Sequence, residues 1–221
     1  MCYNVRISII ALIVNIISSI FLLNFAKRCN PTEKSQLIII SYFFLYVGVM
    51  QFWDTIFWLN NEYTLVNKYS TKAAMLWNHF EPIVLFLLIW AIKGEIKTPS
   101  LIFIGLYMIA CTIYSISIFS QLDGTKKTES GDSLDWEWNH FQFAELFYLL
   151  FLATLIVLFY FEFKGWIRNL SIFLAITSFV FSVYKYKIIA SVGRFWCYIT
   201  AFLPLVYLII VKWGDEHFTS R

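Results

Sequence analysis

Long apolar runs alternate along this chain with short charged connections. The runs are Ile7 to Phe25, Gln36 to Leu59, Ala73 to Ile92, Ser100 to Phe119, Trp136 to Phe161, Ile167 to Tyr184 and Ile188 to Trp213. A helix rising ~1.5 Å per residue needs about 20 such residues to cross ~30 Å of hydrocarbon. The pattern therefore predicts an all-α polytopic integral membrane protein, a bundle of seven transmembrane helices forming one domain over residues 1–221. A membrane β-barrel is disfavoured, because its strands would alternate apolar and polar residues over ~10 positions and these runs are continuous. The sixth run is the shortest and merges through Tyr184-Lys185-Tyr186-Lys187 into the seventh, so a six-span count stays open.

Composition agrees. The 221 residues are 60% hydrophobic and 14% charged, with a mean hydropathy of +0.69, far from the usual soluble domain. A net charge of +3, spread over short connections, offers no basic patch, so nucleic acid is not an expected partner. The expected partner is the lipid bilayer, with a homo-oligomer left open. Cys2 and Cys29 flank the first run while Cys111 and Cys197 lie inside later ones, a spacing that reads as reduced, structural thiols. The one long connection, Gln121 to Asp135, holds Asp123, Glu129, Asp132 and Asp135 with Gly124 and Gly131, and reads as a solvated acidic loop.

One motif occurs twice. Trp77-Asn78-His79-Phe80 is repeated as Trp138-Asn139-His140-Phe141, and the twelve-residue stretches that begin there share seven identities. Two of the three histidines fall in the repeat. Each copy opens an apolar run, and with two spans' difference between them both start at the same membrane face. Their tryptophans read as interfacial anchors.

Candidate chemistry gathers near these copies. Asp54, Glu81 and Glu145 place carboxylates inside predicted spans, where an unpartnered charge costs several kcal/mol, so each marks a candidate site. At helical spacing Gln51 shares a face with Asp54, Asn78 with Glu81, and Gln142 with Glu145, with Asn139 beside the last pair. His79 is turned about 200° from Glu81 on a regular helix. Arg194, at the same membrane face, is the natural counter-charge. Pro82 and Pro204 cannot donate to the carbonyls of Asn78 and Thr200.

The functional expectation is a proton or small-cation channel or carrier lined by Asp54, Glu81, Glu145, His79, His140, Arg194, Gln51, Asn78, Asn139 and Gln142, without a cofactor. A receptor-like or structural membrane protein is the alternative. A metal-dependent membrane hydrolase with His79 and His140 as ligands ranks below both, since no His-x-x-x-His spacing occurs and His79 and Glu81 point apart. No nucleophile motif or phosphate loop appears, and no catalytic residue is assigned.

Two of these stretches carry a resemblance. Met50-Gln51-Phe52-Trp53-Asp54, followed by Thr71-Lys72 and by Asn78-His79-Phe80-Glu81-Pro82-Ile83, resembles an uncharacterised family of multi-pass membrane proteins encoded by large DNA viruses of algae and protists. That family pairs a Met-Gln-aromatic-x-acid stretch with an Asn-His-x-Gln-Pro-like one. Asp54 stands where the family has Glu, and Glu81 where it has Gln. The resemblance covers the second and third runs and implies a small viral or virus-derived protein in a host membrane or virion envelope. It implies no activity.

Overall fold

The computed structural model describes residues 4–60, 64–128, 133–186 and 192–218, leaving out the side chains of residues 182, 185–186, 192–198 and 213–218. Helices make up 83% of it. They are α1 (Val5–Ala26), α2 (Pro31–Gly48), α3 (Met50–Leu59), α4 (Leu65–His79), α5 (Glu81–Lys93), α6 (Thr98–Phe119), α7 (Ala144–Glu162), α8 (Gly165–Tyr186) and α9 (Val192–Phe218). Between α6 and α7 lies a short antiparallel pair, β1 (Lys126–Lys127) and β2 (Leu134–Asp135), then a single 3₁₀ turn over Glu137–Asn139.

The first helix is built inside out relative to one of a water-soluble bundle. The buried stripe of α1 is small and polar, with Ser8, Ala11, Asn15, Ser18 and Ser19 ahead of Leu22 and Ala26. Its outer face carries Ile10 at 56% and Phe21 at 58% exposure. In lipid the apolar face needs no cover, and small or hydrogen-bonding residues mediate contact between helices. Asn15 does this at the centre of the bundle, donating Nδ2 to the carbonyls of Phe44 on α2 at 3.0 Å and Ala201 on α9 at 3.2 Å. Gly48 permits the approach, since a Cβ there would lie 2.3 Å from Asn15 Oδ1.

Among the described residues, four helical segments are long and apolar enough to cross a membrane: Val5–Ala26, Pro31–Leu59, Thr98–Phe119 and Ala144–Glu162. A fifth forms if α4 and α5, bent by 48° at Phe80, count as one. The molecule is thus an all-α protein with four or five helices of membrane-spanning length among the described residues. The sixth predicted run falls in α8 and the seventh in α9 from Val192 onward, its residues 188–191 lying outside those described; among the described residues their apolar stretches are Gly165–Phe181 and Ile199–Lys212.

Three predicted boundaries are corrected. The third run begins at Leu65 and is broken at Phe80, because Pro82 has no N–H to continue the ladder. Tertiary bonds take up the carbonyls around the break, as a membrane interior requires: the Tyr46 hydroxyl donates to Trp77 O at 2.9 Å, and that of Tyr107 to His79 O at 2.5 Å. The helix of the fifth run, α7, starts at Ala144, eight residues later than expected, after Phe143 at φ 69°. The Gln121 to Asp135 connection is not wholly a solvated loop, although Glu129, Gly131 and Asp132 lie outside the described residues. Thr125 N–H donates to Asn67 Oδ1 and Thr71 Oγ1, both at 2.8 Å, and Glu137 Oε2 accepts from the N–H groups of Asp123 and Gly124. Residues 120–128 and 133–143 form a strap fastened across one end of the bundle.

Candidate functional site

The strap covers a buried polar belt. On α3 the inward face is Met50, Gln51, Asp54 and Phe57, so the helical spacing that pairs Gln51 with Asp54 holds in the fold. Asp54 is 2% exposed, and its Oδ1 accepts from the Trp136 indole at 3.3 Å. Trp136 stacks on Trp138 with ring centroids 4.9 Å apart. These tryptophans are buried on the inner side of the strap, which corrects the expectation of an interfacial anchor at Trp138. Their N–H groups have partners inside the bundle, and their rings pack there.

A chain of side-chain hydrogen bonds continues from Trp138. Its indole donates to the Tyr148 hydroxyl at 3.1 Å, Tyr148 donates to Asn78 Oδ1 at 2.9 Å, and Asn78 Nδ2 donates to Glu81 Oε1 at 3.2 Å. Glu81 is fully buried. The chain links the second tetrad copy to the first, and ends on a carboxylate. Asn139 is also buried, with neither amide atom hydrogen-bonded.

His79 faces a separate neighbourhood, as its angular offset from Glu81 implies. Its Nδ1 lies 2.9 Å from Ser115 Oγ on α6, and its ring sits 4.5 Å from that of Phe147 and 5.6 Å from that of Tyr114. Nε2 has no hydrogen-bond partner.

Not every expected member is brought in. His140 is exposed and pairs with Asp135 at 2.7 Å. Gln142 is exposed on the strap, and Glu145 is exposed in the first turn of α7. The expectation that His140, Gln142 and Glu145 converge with Asp54 and Glu81 is corrected. It assumed a regular helix from Trp136, and the helix begins only after the strap has turned. The Arg194 side chain lies outside those described. Among the described residues no group of three or more His, Cys, Asp or Glu side chains is placed to hold a metal ion, and the two histidines proposed as ligands occupy different environments.

Tyr148, Trp136, Tyr107 and Ser115 complete the belt and were not singled out from sequence. The available signal was spacing: Tyr107, Cys111, Tyr114 and Ser115 fall on one buried face of α6, and those hydroxyls could be read as seeking partners in lipid.

No protein-family model, curated protein or solved structure matches the chain.

Proposed function

We propose that the chain forms a seven-span membrane bundle in which Asp54 and Glu81 bind a proton or small cation in transit, the protein acting as a carrier or channel. The observation that carries this reading is the burial of the two carboxylates, Glu81 wholly and Asp54 at 2% exposure. A carboxylate so far from water is held as the acid, paired with a cation or bound to an ion, and each state couples it to a proton or cation. Carrier action is favoured over an open pore, because the strap sits on the site through Trp136 and Trp138. Arg194 on α9 is the proposed counter-charge. The apolar stretches of α8 and α9 supply the sixth and seventh spans, α9 packing on α1 and α2, and α8 on α7 and α9. Following the resemblance, the membrane proposed is that of a host cell or a virion envelope.

The test is proton and cation flux in liposomes holding the purified protein. Flux is expected in the wild type and lost in Glu81→Gln and in Asp54→Asn, with folding checked by circular dichroism. Unchanged flux in the double variant removes these residues from the path. Absence of flux in folded wild type transfers the assignment to a receptor-like or structural membrane protein. That second reading draws on the same hydrogen-bond chain, whose members join α4, α5, α7 and the strap as helix-to-helix contacts do.

A further inference from the structure

A cavity of about 350 Å³ opens at the end of the bundle away from the strap, where α2 begins, α5 ends and α7 passes into α8. Its walls include Thr32, Ser35 and Gln36 of α2, Ile92 and Lys93 of α5, and Lys164 of the link. We infer that this cavity binds the phosphate of an anionic phospholipid headgroup, independently of any transport through the belt.

Two cations line the cavity and no carboxylate does. Lys93 is held in place: its Nζ donates to the carbonyl of Glu162 and lies 4.8 Å from the centre of the Phe163 ring. An ammonium has three donors, so this contact leaves others for a ligand. The root of Lys164 is also fixed, its backbone N–H donating to Gln36 Oε1 at 2.6 Å. Its side chain is left to solvent. A charge fixed before the ligand arrives loses less entropy on binding.

Oxygens of the nearby carboxylates are taken by neutral donors, while the Glu162 charge also acts on Lys93. Glu162 Oε1 accepts from Lys97 N–H at 3.0 Å and Ser100 Oγ at 2.6 Å, and Glu33 accepts from Asn30 Nδ2 at 2.8 Å and the Trp166 indole at 3.2 Å. The first turn of the 18-residue α2 adds the positive end of its dipole, shared with Glu33, and the hydroxyl of Thr32; that of Ser35 donates to Thr32 O at 3.0 Å.

Depth selects the source of the phosphate. Ile92 closes the apolar run of α5 and Lys93 follows it directly, so the cavity lies at the level where hydrocarbon gives way to headgroups. A lipid phosphate is delivered there by a chain that lies along the apolar flank. A free phosphate has no such attachment.

The experiment uses delipidated full-length protein in neutral detergent, with bound lipid counted by native mass spectrometry. Dioleoyl phosphatidylglycerol is compared with dioleoyl phosphatidylcholine, and inorganic phosphate is the competitor. Phosphatidylglycerol is expected to bind more tightly, and Lys164→Glu to weaken it by roughly fivefold or more while leaving phosphatidylcholine unchanged. Lys164 makes no described side-chain contact, so this variant keeps the fold; Lys93→Gln should act in the same direction. Lys127→Glu, at the opposite end of the bundle, should leave binding intact. Equal binding of the two lipids, or an unaltered Lys164→Glu variant, overturns the site. Displacement of phosphatidylglycerol by millimolar phosphate overturns the lipid as its source.

Discussion

The Tyr148 hydroxyl lies 2.9 Å from Asn78 Oδ1 and donates to it, bridging the two copies of the Trp-Asn-His-Phe tetrad. The same oxygen accepts from Trp138 at 3.1 Å, so one phenol satisfies two buried groups from two parts of the chain. Replacing Tyr148 by Phe should leave both without that partner while changing little volume. The expected loss is about 1 to 3 kcal/mol of stability, from the removal of two buried hydrogen bonds. Denaturant titration in detergent micelles measures it; a loss below about 0.5 kcal/mol would place the bridge among the weak contacts common between membrane helices.

Glu145→Gln should leave any liposome flux unchanged, whereas Glu81→Gln abolishes it. Both lie just inside apolar runs and were equivalent by sequence, but Glu145 is exposed and Glu81 fully buried. A loss of flux in the Glu145 variant would move the path to the outer surface of α7.

Gly48→Ala should destabilise the bundle by about 1 to 3 kcal/mol, the usual cost of overpacking. The added carbon would meet Asn15 Oδ1 at 2.3 Å. Coupling to Asn15 is diagnostic: the clash disappears in Gly48→Ala/Asn15→Ala, so the double variant should be more stable than the sum of the single losses implies. Strict additivity would show that α1 and α2 do not meet at this point.

Acid should loosen the strap. The Lys68 ammonium, hydrogen-bonded to Asp123 at 2.8 Å, holds that carboxyl below the ordinary carboxylate value of 3.8. A depressed folded-state value means that the pair's contribution is present above about pH 4 and is lost as pH falls through the folded value. Amide exchange at Gly124 and Thr125, corrected for intrinsic rates, should be insensitive to pH from 8 to 5 and accelerate below that range. In Lys68→Ala this acid step should shrink, the Glu137 carboxylate that accepts from Gly124 N–H being left in place. Both groups are exposed, so the effect is local to the strap.

The helical character of the chain and the membrane-spanning length of its apolar helices were legible in its sequence alone, because a run of about 20 apolar residues can satisfy its backbone within one helix and its side chains against lipid. The same local logic placed Gln51 with Asp54 on one face, separated His79 from Glu81, and marked Pro82 as a point of strain in the ladder. Tertiary structure alone decided where the helix of the fifth run begins. Trp136 and Trp138 look like the opening of a membrane span, yet their hydrogen-bond partners Asp54 and Tyr148 lie 82 and 10 residues away. Those bonds hold residues 136–143 out of the helix, bury the indoles, and leave His140, Gln142 and Glu145 on the outside. Apolar periodicity records what each segment needs from lipid; the partner of a buried donor depends on which distant segment the fold brings beside it.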